Sequence, residues 1–320
     1  MEKQACIFVA GDDTVAGAAI LELLHTQGYC NLLGRSPAGP DLINAIDVNT
    51  FFAEAHPEYV FLAAGRSGGI HLNRTCPADL MLDNLRVTTN VVSAAHRYGT
   101  RKLLYLASSC AYPKNAPQPL AVDSLMTGFL EPTSEAYAMA KLAGWQLCTA
   151  FRRQYDARFI TAFTANAFGP HDDYGPDSGH VIPALIRRAH EAKLRDEPAL
   201  TVWGTGTPRR EFIYARDLAD ACVFVMQHYD ETAPINLGIG SDLSIGETAR
   251  AVADAVGYRG EILYDPTKRD GARLKRLDSS PLRAMGWRPT SDFHDALVAT
   301  YRWFLENELT RMNRPASAAV

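Results

Sequence analysis

The stretch Tyr137-Ala138-Met139-Ala140-Lys141 sets a phenol and an ammonium four positions apart, which on a helix is one face. A free tyrosine titrates near about 10 and is a poor acid–base group at neutral pH. A neighbouring lysine and an oxidised nicotinamide both favour the phenolate, so the pair reads as the acid–base centre of a hydride-transfer site. Upstream, Leu104-Tyr105-Leu106-Ala107 runs into Ser108-Ser109-Cys110. An apolar strand therefore ends in two hydroxyls and a thiol. Ser108 or Ser109 at that tip is placed to hydrogen-bond the carbonyl oxygen that the phenol serves. The thiol has no evident redox partner. The six cysteines (Cys6, Cys30, Cys76, Cys110, Cys148, Cys222) are scattered with no C-x-x-C pair, which reads as buried thiols in a reducing compartment, with Cys110 set apart by its position.

A nicotinamide needs a nucleotide turn, and the chain opens on one. Ala5–Ala10 is an apolar strand followed by Gly11-Asp12-Asp13-Thr14-Val15-Ala16-Gly17. Gly11 serves the tight turn and Gly17 the close approach of helix to strand, with Thr14 standing where a third glycine would complete the fingerprint. Val15 lies in this turn, ahead of the helix predicted over Gly17–Thr26, whose N-terminus favours a pyrophosphate. Ala63 and Ala64, at the tip of the third strand, complete the expected cofactor wall. After the second strand comes Gly34-Arg35-Ser36. NAD binders usually carry an acid there. Arg35 and Ser36 favour the 2′-phosphate of NADP, although Asp12 and Asp13 run against it.

The elements that must hold these groups are legible as alternation. Apolar runs at Ala5–Ala10, Asn31–Leu33, Val60–Ala64, Lys102–Ala107, Phe159–Ala165 and Pro234–Leu237 predict strands. Helical periodicity marks Gly17–Thr26, Pro77–Tyr98, Ser134–Tyr155, Pro183–Lys193 and Ile245–Val256. Strand–helix alternation predicts an α/β fold with a Rossmann-type doubly wound parallel sheet, and a smaller α/β substrate-binding domain beside it. The Rossmann domain is expected at 1–170 plus about 211–240, and the second domain at 171–210 plus 241–320. The tail Asn313–Val320 is expected to be disordered.

Composition excludes several classes. A chain of 320 residues, 47% hydrophobic and 21% charged, with a formal charge of −4, is an ordinary globular one with no global field for nucleic acid or an anionic membrane. The N-terminus lacks a long apolar core, so no secretory leader is expected. No apolar run reaches the roughly 18–20 residues of a spanning helix. The cytoplasm is the expected location.

Taken with Gly68-Gly69-Ile70, Ser108-Ser109-Cys110-Ala111-Tyr112-Pro113, Glu131-Pro132-Thr133, Gly169-Pro170-His171-Asp172, His180-Val181-Ile182-Pro183-Ala184-Leu185, Val202-Trp203-Gly204-Thr205-Gly206-Thr207-Pro208 and Arg210-Glu211-Phe212, the chain resembles the extended short-chain dehydrogenase/reductase family. Within it, these segments are similar to the bifunctional epimerase/reductases of GDP-4-keto-6-deoxymannose.

That resemblance implies an enolate mechanism. A ketone at C4 acidifies the hydrogens at C3 and C5, and inversion needs a base on one face and an acid on the other. The resemblance assigns Cys110 and His180 to that pair, with Ser108, Tyr137 and Lys141 completing the catalytic set. Thiol and imidazole both exchange protons near neutral pH. Tyr137 and Lys141 also contact the cofactor, NADP. Ser109, Asn166, Arg188, Trp203, Arg210 and Lys275 are implied on the nucleotide-sugar side, the cations near the diphosphate and Trp203 near the base or ribose. His171 reads as structural. The implied reaction is C3/C5 epimerisation followed by hydride transfer to C4, giving GDP-L-fucose. A 3,6-dideoxy sugar (giving GDP-L-colitose), a GDP-6-deoxyheptose and a non-catalytic NADP-sensing role are the alternatives. A homodimer is implied, and no metal.

Overall fold

The computed structural model describes residues 1–34, 39–176, 178–268 and 270–309. Its strands are β1 (Ile7–Ala10), β2 (Leu32–Leu33), β3 (Tyr59–Leu62), β4 (Lys102–Ser108), β5 (Phe159–Thr164), β6 (Asn166–Phe168), β7 (Ala199–Trp203), β8 (Arg209–Arg210), β9 (Phe212–Tyr214), β10 (Ile235–Leu237), β11 (Leu243–Ser244), β12 (Glu261–Asp265) and β13 (Leu274–Lys275). The helices are α1 (Val15–Thr26), α2 (Ala45–Ala55), α3 (Ile70–Thr75), α4 (Pro77–Arg97), α5 (Glu135–Tyr155), α6 (Val181–Leu194), α7 (Ala215–His228), α8 (Ile245–Val256), α9 (Ser280–Ala284) and α10 (Phe293–Trp303). The expected tail, Asn313–Val320, lies outside the described residues.

Six strands form one sheet in the order β10-β5-β4-β3-β1-β2, every neighbour parallel. Residues of β1 and β3 are buried without exception, because helices cover both faces and a parallel strand then needs an unbroken apolar run. The strand order reverses around β1 and β3. Loops leaving the carboxyl ends diverge there and open a crevice, the usual place for a ligand in such sheets.

A second core lies beside the first. It gathers Ile182, Leu185, Ile186 and Ala189 from α6, Val252 and Val256 from α8, and Leu297 and Tyr301 from α10. Small sheets frame it: β7 pairs in parallel with β12, and β8 lies between β11 and β13. Helix α8 is held at both ends by local chemistry. Ser244 and Glu247 form a reciprocal N-terminal cap, and Gly257 ends the helix in a left-handed conformation. Leu277, Leu282 and Trp287 join the sheet core, with Trp287 Nε1 donating to Asp220 Oδ2 at 2.8 Å. Residues late in the chain thus strap back onto the first core. Among the described residues no helix is long and apolar enough to cross a membrane.

Candidate active site

The turn after β1 is built around close approaches. Gly11 has φ +97°, and a Cβ there would stand 2.5 Å from Ala64 Cα. A Cβ on Gly17 would lie 2.0 Å from the Gly11 carbonyl oxygen. Thr14 is the N-cap of α1. Its Oγ1 accepts from Gly17 N at 3.1 Å and donates to Gly11 O at 2.7 Å. The missing glycine of the fingerprint is therefore a capping threonine, and the first-turn N–H groups beyond it lack intrahelical acceptors by helix geometry. No acidic side chain lies in the first turn of α1, and Asp12 leans away from it onto Gly34. A dinucleotide pyrophosphate fits this cradle. Arg35 and Ser36 lie outside the described residues. Gly11→Ala is expected to lower stability by roughly 1–3 kcal/mol through strained backbone and the Ala64 clash, and to weaken NADPH binding, read by thermal melts and fluorescence titration.

Strand β4 delivers the reactive groups. Ser108 is its last residue and caps the following turn, its Oγ accepting from Cys110 N at 3.2 Å. Ser109 is buried and Cys110 half-buried. Helix α5 lies across this tip. Lys141 Nζ donates to Leu106 O at 3.4 Å and stands 5.7 Å from the Tyr137 ring centroid. Burial pushes the Lys141 ammonium down to about 8. Burial, and then the Cys110 sulfur, push the Tyr137 phenol up, while the Ser108 hydroxyl works the other way. Desolvation dominates here, so the phenol holds its proton. The lowering expected from sequence invokes an oxidised nicotinamide beside the phenol; the protonated form suits a group that donates a proton to a reduced carbonyl.

The thiol and the imidazole each have a charged neighbour. Lys275 Nζ lies 3.7 Å from Cys110 Sγ. Burial opposes the thiolate, but Lys275, Ser108 and His180 outweigh it and hold the thiol below its ordinary value. His180 is the residue before α6, at the end of a loop anchored by Gly69 N donating to Ser178 O at 2.9 Å. Its Nδ1 is 3.8 Å from Asp172 Oδ1. Burial opposes the imidazolium, yet Asp172, Cys110 and Asp173 outweigh it and hold the ring above its ordinary value. Cys110 and His180 thus lie within each other's field with opposite charge preferences. Thiolate chemistry is lost as pH falls through the thiol's lowered pKa. Lys275→Met raises that pKa, so the acid limb of thiolate-dependent activity is expected to move to higher pH, measurable as a pH–rate profile and by thiol alkylation rates.

The cations expected at the nucleotide-sugar lie on β8, β13 and α6. Parallel pairing sets Lys275 opposite Arg210. Arg210 Nη1 donates to Arg209 O at 2.8 Å and Ala272 O at 2.6 Å, and the Cys110 sulfur acts on its charge. Arg188 Nη1 donates to Thr201 O at 3.0 Å. Trp203 ends β7 with 63% of its surface exposed, an open aromatic face with Lys268 Nζ 5.6 Å from its centroid. Asn166 Nδ2 donates to Glu211 O at 2.8 Å, tying β6 to β9. His171 packs its ring on Trp303 at 4.8 Å. The thiols differ from the uniform burial expected: Cys148 and Cys222 are buried, but Cys30 is exposed. Two groups carried no acid–base expectation from sequence. Asp172 lies in the Gly-Pro-His-Asp segment, and Lys275 reaches the thiol across 165 positions of chain.

A parallel nucleotide-binding sheet with a tyrosine–lysine pair at its carboxyl edge defines a short-chain dehydrogenase/reductase. The chain belongs to the NAD dependent epimerase/dehydratase family, which residues 7–240 match. It is 46% identical over 310 residues to GDP-L-fucose synthase 1 of Arabidopsis thaliana, covering 97% of this chain and 96% of the relative. Identity to the GDP-L-fucose synthase of Escherichia coli is 42% over 317 residues, 96% of this chain and 98% of that one. A crystal structure of a GDP-L-fucose synthetase from Naegleria fowleri bound to NADP superposes with a TM-score of 0.90 at 26% identity, covering 97% of this chain and 95% of that one.

Proposed function

We propose that the protein is an NADP-dependent epimerase/reductase that converts GDP-4-keto-6-deoxy-D-mannose to GDP-L-fucose. The observation that carries this reading is that Cys110, beside Lys275, and His180, beside Asp172, lie within each other's electrostatic reach at a strand tip that also carries Ser108. A simple reductase has no use for a second acid–base pair. Similarity to the GDP-L-fucose synthases supports the fucose product over the 3,6-dideoxy, heptose and non-catalytic alternatives.

In this reading the Cys110 thiolate removes the proton at C3 or C5, and the C–H electron pair passes to the C4 oxygen. Ser108 and Tyr137 hold that enolate oxygen. The His180 imidazolium returns a proton to the opposite face, and thiol and neutral imidazole then re-equilibrate with water. Gly11, Thr14, Val15, Gly17, Ala63, Ala64, Tyr137 and Lys141 hold the cofactor; Arg35 and Ser36 are assigned to the 2′-phosphate from their place in the sequence alone. Bound NADPH supplies the hydride that C4 accepts. Tyr137 gives its proton to the C4 oxygen in that step, and Lys141 balances the charge left behind. Arg188 and Arg210 suit the GDP diphosphate, and Trp203 the base or ribose. Ser109 and Asn166 line the sugar side.

The sheet domain, about 1–170 with 211–240, supplies the cofactor site, and 171–210 with 241–320 the nucleotide-sugar site. Exposed Leu82 on α4 and Met139 on α5, with Met126 and Phe129 nearby in sequence, support a homodimer through these helices. Six cysteines without a disulfide fit a cytoplasmic enzyme. Incubation with GDP-4-keto-6-deoxymannose and NADPH, followed by NMR of the product, tests the assignment. GDP-L-fucose is expected, and a GDP-6-deoxy sugar with C3 and C5 uninverted contradicts it.

A further inference from the structure

Asp172 is a carboxylate that the fold has largely withdrawn from water. Its side chain is 4% exposed. Oδ1 accepts from Asp173 N at 2.8 Å, and Oδ2 is buried with no hydrogen-bond partner among the described residues. Such a group carries a desolvation cost that packing alone does not require. The turn that aims it is also constrained: His171, the residue before, sits in the left-handed region at φ 64°, uncommon for a non-glycine, with its ring pinned against Trp303. What the carboxylate faces is Nδ1 of His180, at 3.8 Å. That distance is long for a hydrogen bond and short enough for an ion pair, as ligand-free catalytic contacts often are.

We propose that Asp172 is a positioning residue for the C3/C5 inversion: held against Nδ1, it fixes the His180 ring as the imidazolium whose Nε2–H is delivered to the face of the sugar opposite Cys110. This rests on the epimerase reading above. The groups facing His180 are Asp172 and Asp173 from its own loop and Cys110 from the β4 tip. Those facing Cys110 are Lys275, Ser108, His180, Arg210 and Tyr137. All three groups facing the imidazole favour its protonated form. The principal cation beside the sulfur favours the thiolate. A carboxylate behind a histidine that had to act as the resting base would oppose that role. Behind an acid it keeps the proton in place as the pH rises.

The proton balance is simple. Cys110 gains the substrate proton, His180 loses its Nε2 proton to carbon, and water resets both before the second centre is inverted. Asp172 neither gains nor loses a proton in the cycle.

The test uses the NADP⁺-bound protein in D₂O with GDP-4-keto-6-deoxymannose, following deuterium at C3 and C5 by NMR across pH. Asp172→Asn is expected to slow exchange about 10- to 100-fold at alkaline pH and less at acidic pH. Its alkaline limb should move to lower pH, with partial recovery in Asp172→Glu. An Asp172→Asn limb at the wild-type position overturns the proposal. A purely structural role would lower the rate without moving the limb, which equally counts against it. Titration of the ¹⁵N-labelled His180 ring in the wild-type protein decides independently of any variant. A midpoint above the ordinary value of about 6.5 is expected, and one at or below it overturns the proposal. Wild-type protein that shows no exchange at any pH, with a raised His180 midpoint, would sink the epimerase reading and leave the Asp172–His180 coupling standing.

Discussion

Tyr137→Phe is expected to slow NADPH-dependent reduction roughly 100- to 10,000-fold, the range associated with loss of a positioned proton donor. The tyrosine is half-buried, and desolvation with the neighbouring sulfur keeps the phenol protonated. Without it, hydride arriving at C4 would leave an alkoxide stabilised by Ser108 alone. Lys141 does not replace it, because its Nζ is engaged with Leu106 O and stands 5.7 Å from the ring centroid. NADPH absorbance gives the rate, and fluorescence titration checks that the nucleotide still binds. Reduction within about threefold of wild type would remove Tyr137 from the proton-transfer step.

Cys110→Ser is expected to abolish inversion while some C4 reduction persists. A hydroxyl fits the space of the thiol, but its proton is held far more tightly, so neither Lys275 nor Ser108 makes it a base at neutral pH. A loss of roughly 1,000-fold in exchange at C3 and C5 follows from removing a general base. Reduction of the uninverted ketone then dominates, and the product by NMR becomes an uninverted 6-deoxy sugar. Retained inversion at C5 in this variant would contradict the role given to the sulfur.

Much of the catalytic edge is legible in sequence because it rests on local pattern. Strands β1, β3, β4 and β5 are buried on both faces and so appear as apolar runs. The Tyr137–Lys141 spacing is a property of one helix. Helix α7 was harder to see. Nine of its residues are buried, and its packing on α1 is a tertiary contact that local spacing does not reveal. Strands β7 and β12 are short partners whose pairing lies some sixty positions apart, and neither announces itself alone. Helices α2 and α10 were missed between polar segments.

The charges around the two acid–base groups were not legible for a different reason. Lys275 reaches Cys110 only because β13 pairs with β8, a register set by tertiary packing. Asp172 reaches His180 across an irregular loop, where no periodicity predicts which side chains meet. The capping role of Thr14 was hidden behind its reading as an incomplete glycine motif. In each case the residue was visible and its partner was not.

One experiment bears most directly on the enolate reading. Wild-type protein with oxidised cofactor and GDP-4-keto-6-deoxymannose in D₂O, with no reductant present, should place deuterium at both C3 and C5 of the sugar. Recovery of the keto-sugar with both positions fully protonated, under conditions where added NADPH is consumed, would show a reductase without an epimerase and contradict the account.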